Sequence, residues 1–231
     1  MRAAKILVSI VVAVMALTSC VDTLNEANFE KYWYVEAEDD STEVTWGNGY
    51  VEFKAPKGLT VWRREKMKGD IRIEYEAEVV VEREGDRLSD MNCFWMATDP
   101  ESPDDIFATT GRRRGIFKNY YSLSLYYVGY GGNQNRTTRF RKYTADTLGI
   151  VDPAMRPEIL MEYRDIQHLL QPNHWYRIEI ECRGQKTTMS VDGQRIVDYV
   201  DLEPLREGWF AFRTTKSRTR MRNFSVTELK E

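Results

Sequence analysis

An all-β fold, two antiparallel sheets packed as a sandwich or jelly roll, is what this sequence predicts, and three observations carry the prediction. Segments in which apolar and polar residues alternate with a period of two recur from Tyr32 to the C-terminus. Helical periodicity is confined to the short stretch Asp165–Leu170, which Pro172 ends. The strand-like segments are short, about a dozen in roughly 200 residues, and turn residues separate them, as in two-layered β domains.

In chain order, Tyr32–Ala37, Tyr50–Lys54 and Thr60–Arg64 are the first strand candidates. Ile71–Val81 alternates and then becomes continuously apolar. Met91–Ala97, Tyr121–Gly129 and Arg136–Tyr143 follow, and Trp175–Cys182 and Thr187–Val191 alternate cleanly. Val191-Asp192-Gly193 supplies a hairpin turn into Gln194–Val200, since Asp-Gly tolerates the positive φ that a tight turn requires. Gly208–Arg213 and Met221–Glu228 complete the set. Two stretches, 98–118 and 144–173, lack regular pattern, and loops of that length in a sandwich carry function or pack over an opening.

The 231 residues suit one domain with a sizeable core. An apolar content of 42% and a mean hydropathy of −0.55 exclude a disordered chain and a polytopic membrane protein. A net charge of −3 argues against a DNA-coating protein, and two His with three Cys leave little for a zinc site or disulfide scaffold.

The N-terminus is an export signal. Arg2 and Lys5 precede an apolar run, Ile6–Leu17, too short to span a bilayer. Leu17-Thr18-Ser19-Cys20 looks like a bacterial lipobox, which implies cleavage before Cys20 and lipidation of that residue. An ordinary signal peptide, with Cys20 a structural thiol, is the alternative. The expected organisation is a signal peptide over 1–19, a lipid-anchored spacer over 20–31 and a single β domain over 32–231. The expected location is the cell envelope, tethered to the outer membrane by the lipid. Cys93 and Cys182 are left either to pair or to remain buried thiols.

His174-Trp-Tyr-Arg-Ile-Glu-Ile, Val191-Asp-Gly, Gly208-Trp-Phe-Ala-Phe-Arg213 and Arg222-Asn-Phe-Ser-Val226 resemble, in that order, the final strands of concanavalin-A-like (laminin-G-like) jelly rolls from bacterial glycan-degrading systems. The segment from Asp90-Met-Asn-Cys-Phe-Trp-Met-Ala through Tyr126–Arg141 is similar to a family of Bacteroidota lipoproteins of unassigned function. The likeness covers residues 45 to 229 and implies a fold, an envelope location and a glycan context, but no chemistry.

Charge is unevenly distributed. Gly111–Tyr143 holds eight Lys/Arg and no acid, and Gly208–Phe224 holds five more and again no acid. Loss of Arg2 and Lys5 takes the net charge to −5, so the rest of the mature chain carries −18. Alternation through Arg136–Tyr143 puts Thr137, Arg139, Arg141 and Tyr143 on one face. With Leu123, Leu125 and Phe140 turned to the core, Tyr126 joins Arg139, Arg141 and Tyr143 on the opposite face, the expected concave sheet. Tyr130, Asn133 and Asn135 at the following turn, together with Asn92 and Arg213, are further candidate binding residues, and Trp95 or Trp209 would offer a platform for a sugar ring. The competing reading is that these arginines pair with carboxylates of adjacent strands. Arg112-Arg113-Arg114 is either a solvated run or a guard at the cleft entrance.

An acidic polysaccharide or oligosaccharide is the expected partner, and β-elimination at a uronate is the leading chemistry. A bidentate guanidinium neutralises the carboxylate and stabilises the developing enolate, a task for Arg139 and Arg141. A tyrosine or histidine moves the proton, and Tyr126 and His168 are the candidates. Tyr126–Asn135 superficially resembles the Tyr/Asn/Gln strand motif of jelly-roll alginate lyases, but lies much further from the C-terminus than that family's motif does. A non-catalytic glycan-binding lipoprotein and a hydrolase of an oxidised (keto) glycoside are the alternatives. No cofactor is implied; Asp39-Asp40 or Asp104-Asp105 would suit a structural calcium. Nucleic acid is excluded as a partner by the export signal, and no phosphate loop or nucleophile elbow is present.

Overall fold

Thirteen strands, every pair antiparallel, make up the domain in the computed structural model, which describes residues 23–145 and 157–230. They are β1 (Trp33–Ala37), β2 (Glu43–Gly47), β3 (Tyr50–Arg63), β4 (Met67–Lys68), β5 (Ile71–Val79), β6 (Met91–Thr98), β7 (Ser124–Gly131), β8 (Thr137–Tyr143), β9 (Met161–Tyr163), β10 (Tyr176–Arg183), β11 (Lys186–Val191), β12 (Gln194–Val200) and β13 (Glu207–Glu228). The signal sequence and Cys20 lie outside the described residues.

Two strands are long enough to serve both layers. The first half of β3 and the second half of β13 pair with each other inside a sheet ordered β12-β11-β10-β5-β13-β3-β2. Their other halves pair inside a second sheet ordered β9-β8-β7-β6-β13-β3-β1. The crossing is marked by Pro56, which has no N–H to give the ladder, opposite a bulge between Thr215 and Ser217. Tyr50–Lys54 with Thr60–Arg64, and Gly208–Arg213 with Met221–Glu228, are therefore halves of single strands. The stretches between these halves read as loops because they lack a regular alternation, although Thr214, Ser217, Arg218 and Thr219 are buried.

The all-β sandwich expected from the alternation is what forms. Tyr121 and Ser122 of the strand candidate Tyr121–Gly129 instead belong to a 3-10 turn over Phe117–Ser122, and Asp165–Leu170 shrinks to a 3-10 turn over Ile166–His168. The Asp192-Gly193 turn has φ of 50° and 79°, the positive values a two-residue hairpin needs. Between the sheets lies one apolar core, with Phe53, Ile73 and Ile180 from the first sheet and Trp95, Val128 and Phe140 from the second. Each such side chain contributes roughly 1.5–3 kcal/mol on burial. Cys93 and Cys182 are unpaired thiols in this core, and burial pushes them up to about 12 and about 11, so they are inert rather than reactive.

A second apolar cluster covers part of the outer face of the second sheet. Trp62, Phe94, Leu125, Tyr143 and Ala211 on the strands are roofed by Ile106, Tyr120 and Leu123 from the irregular stretch 98–122. One buried carboxylate fastens this roof. Glu36 of β1 accepts from Trp62 Nε1 (3.0 Å), Tyr120 Oη (2.7 Å), the Gly115 N–H (3.2 Å) and Arg113 Nε (3.4 Å). Arg113 is 1% exposed and also lies 3.5 Å from Asp99. The expectation that Arg112–Arg114 guards an entrance is thus corrected: Arg113 is the roof's buried anchor and Arg112 pairs with Glu101.

Candidate functional site

Where the roof stops, the same outer face opens into a cleft of about 250 Å³, whose polar lining includes Arg87, Asp90, Asn92, Tyr127, Arg139 and Arg141. Strand register explains the grouping. Arg213, Asn92, Gly129 and Arg139 lie in one row across β13, β6, β7 and β8, and Phe94, Tyr127 and Arg141 lie in the next row on that face. Gly129 leaves a gap that Tyr127 fills: a Cβ at Gly129 would stand 2.3 Å from the Tyr127 hydroxyl. That hydroxyl therefore sits over Gly129, between Asn92 on one neighbouring strand and Arg139 on the other.

Electrostatically the cleft is cationic. Arg139 Nε meets Glu162 Oε1 at 2.5 Å, but Glu162 is shared with Arg164 (3.0 Å), and the two arginines hold its carboxyl below the usual range. Arg141 donates to the Pro157 carbonyl, and Arg87 to the Thr215 carbonyl (2.7 Å). Asp90 is the one carboxylate lining the cleft among the described residues. Burial pushes it above the usual carboxylate range, against the pull of Asn92, Arg213 and Arg87. Asn92 Nδ2 donates to Asp90 Oδ2 (2.8 Å), which fixes the amide's orientation, while Asp90 Oδ1 and Asn92 Oδ1 have no partner among the described residues. At the cleft's end Asn133, Gln134 and Asn135 all adopt positive φ (54°, 60° and 55°), a conformation disfavoured for non-glycine residues that aims Asn133 at the cleft.

Of the residues predicted from sequence, the structure brings together Asn92, Asn133, Arg139 and Arg141. Tyr126 is corrected to the opposite face. It lies between the sheets beside Trp95 and Phe140, donates to Asp201 Oδ2 (2.6 Å), and accepts from Leu205 N–H (3.1 Å). Burial and then Asp201 raise its pKa, the wrong direction for a base. Leu125, expected in the core with Phe140, in fact shares Tyr143's face under the roof. Both faces of β7 are apolar, one against the core and one against the roof, so alternation fixed the period but not the side.

His168 is corrected likewise. It stacks on Tyr163 and engages Asp165 through Nδ1 (2.7 Å) and Gln194 through Nε2 (2.9 Å), beyond Thr138, on the face turned from the cleft. Trp95 is buried in the core with Nε1 on Thr187 Oγ1, Trp209 is buried with Nε1 on the Arg64 carbonyl, and Tyr130 packs edge-on against Tyr176, so none is a sugar platform. Tyr143 is buried beneath Tyr121 and Tyr127. Asn135 is used on Leu170, bonding both its carbonyl and its N–H. Arg213 is on the cleft face but buried, tying Thr60 and the Gly115 carbonyl and stacked between Phe117 and Tyr120. The basic run of β13 belongs to carboxylates: Arg218, Arg220 and Arg222 pair with Glu82, Glu52 and Glu76. Asp39 is taken by Ser41 and Lys57, Asp105 caps the 3-10 turn that follows it, and no group of three or more potential metal ligands occurs among the described residues.

Sequence reasoning missed Tyr127, Asp90 and Arg87. The signal for Tyr127 was Gly129 two residues on, in phase with it and with Arg141's face. Replacing Tyr126 by Phe is expected to cost about 1 kcal/mol of stability, the net worth of one hydrogen bond. It should leave retention on acidic glycans untouched, as should His168→Ala; a loss of retention in either variant would restore these residues to the site.

A two-layered antiparallel sandwich with a polar cleft on one outer face defines a concanavalin-like, galectin-like β-sandwich protein. A family model described as "Domain of unknown function (DUF6250)" matches residues 53–224. The chain belongs to that family. Among solved structures it is similar to a protein of unknown function with galectin-like fold from Bacillus subtilis, at 15% identity over 88% of this chain and 92% of that one, with a TM-score of 0.68. It is similar also to carbohydrate-binding module CBM66 from Bacillus subtilis (13% identity, 85% and 95% coverage, TM-score 0.54). A third is the VIP36 exoplasmic/lumenal domain in its Ca2+/Man3GlcNAc-bound form (10% identity, 87% and 85% coverage, TM-score 0.57). At these identities the likeness is one of fold. No curated protein sequence matches the chain.

Proposed function

We propose that this is an exported, lipid-anchored protein of the cell envelope whose cleft binds an anionic, uronate-containing polysaccharide and cuts it by β-elimination. Residues 1–19 are its signal peptide and Cys20 its lipidated residue; the spacer is shorter than the expected 20–31, since Leu24 and Phe29 are buried in the core of the glycan-active domain. The observation that carries the chemistry is the Tyr127 hydroxyl lying over Gly129 between Asn92 and Arg139, with Arg141 in its own row. Arg139 and Arg141 neutralise the sugar carboxylate and, with Asn92, hold the charge that grows on it as the C5 proton leaves. Tyr127 moves that proton. The C5–H electron pair forms the C4–C5 double bond, the C4–O bond breaks, and the departing oxygen takes up a proton. Glycoside hydrolysis would use a pair of carboxylates, whereas Asp90 alone lines the cleft among the described residues.

Ultraviolet absorbance of the unsaturated product, followed on a panel of uronate polysaccharides, tests the reaction directly. No absorbance from any of them, with retention on an acidic affinity gel preserved, would leave the second reading, a non-catalytic binder, which the likeness to a carbohydrate-binding module favours. On the same gels, Arg139→Ala combined with Arg141→Ala is expected to weaken retention on acidic glycans about tenfold or more, with neutral glycans unaffected. Unchanged retention on acidic glycans would make this face structural.

A further inference from the structure

The cleft does not close at Arg87. A second groove, of about 570 Å³, begins at that residue and runs over the sheet crossing, past Lys216 and Ser217 of β13 and Lys54–Pro56 of β3. The two are continuous through Arg87 and through the neighbours Thr215 and Lys216, which line one and the other.

Most charges along the second groove are neutralised. Lys54 is paired with Glu43 at 2.6 Å. Asp86 accepts the Glu82 and Arg83 N–H groups and lies 3.5 Å from Arg218. Two cations lack such a close carboxylate, Arg87 having only its longer-range attraction to the buried Asp90. Arg87 donates to the Thr215 carbonyl and to Ser89 Oγ and makes no ion pair with a carboxylate among the described residues. Lys216 is exposed and has no hydrogen-bond or ion-pair partner among them. It is also the residue of the β13 bulge that takes φ 51°, where steric contact with its Cβ disfavours any residue but Gly, Asn or Asp. Glycine would fit this backbone better than lysine, so the bulge itself does not call for the lysine side chain.

We propose that Arg87 and Lys216 form a second anion subsite, which takes the carboxylate of a sugar unit adjoining the one held by Arg139 and Arg141. The site then accepts the interior of an acidic polymer, lying from the cleft across the sheet crossing, and is not a pocket for a chain end. This rests on the uronate-polysaccharide reading above and adds the polymer's direction and the mode of attack.

Lys216→Gly is the informative variant, because it removes the charge while suiting the backbone. Calorimetric titration with size-pure oligouronates, disaccharide against hexasaccharide, reads the subsite. Wild-type protein should bind the longer chain more tightly. Lys216→Gly should lower hexasaccharide affinity about tenfold more than disaccharide affinity, with a melting temperature equal to or above wild type. Equal hexasaccharide affinities in the two proteins overturn the subsite. Product formation separates this from the reaction itself. Length-dependent binding lost in Lys216→Gly, without unsaturated product from any substrate, keeps the subsite and removes the lyase. Unsaturated product with no dependence on chain length does the reverse.

Discussion

Tyr127→Phe is expected to slow uronate elimination about 100-fold or more, the usual worth of a positioned acid–base group, while retention on acidic glycans changes little. The hydroxyl sits where register and the missing Cβ of Gly129 place it, and phenylalanine keeps the ring's packing against Phe94, Phe117 and Tyr143. Gly129→Ala should reproduce the defect by another route, since its methyl group claims the hydroxyl's position. The measurement is the initial rate of ultraviolet absorbance increase at saturating substrate, beside retention on an acidic gel. A Tyr127→Phe protein that turns over at the wild-type rate would remove Tyr127 from the chemistry.

Glu36→Ala is expected to destabilise the fold by about 3–5 kcal/mol, the cost of breaking a buried ion pair from one side. Arg113 would keep Asp99 at 3.5 Å, but Trp62, Tyr120 and the Gly115 N–H would lose their acceptor together. The damage should be directional. Roof residues 98–122 carry Phe117, one wall of the cleft, so affinity for acidic glycan should fall with stability, and proteolytic nicking should concentrate in that stretch. Glu36→Gln, which keeps the acceptor oxygen and loses the charge, should cost less than Glu36→Ala. A denaturation midpoint for Glu36→Ala within about 1 kcal/mol of wild type would mean that apolar packing, rather than this carboxylate, holds the roof.

The architecture was legible because strands with one polar face announce themselves. Gln194–Val200 is a strand with the bounds expected of the segment after the hairpin turn, and the Asp192-Gly193 turn joins it to β11 as expected. Strands with little pattern were not legible. β2, β4 and β9 escaped notice because they are short or lie at an edge, where few side chains are forced to alternate. The basic segments were legible as charge but not as use. Arg220 and Arg222 of β13 face glutamates directly across the ladder, whereas Arg139 shares its one carboxylate with a second arginine.

Composition and periodicity were enough to determine a β-sandwich with acid-free basic segments, since alternation and charge are local properties of the chain. Which of two adjacent tyrosines faces the cleft was decided only in three dimensions. The side-chain period of two means that a one-residue error in phase exchanges the two faces, and only hydrophobic burial on a single face corrects such an error. Here β7 is buried on both sides, by the core and by the roof that Glu36 holds, so Tyr126 and Tyr127 look alike until the partners of each face are known. The small net charge of −3 concealed the site for the same reason: charge is summed along the chain, but neutralised across strands.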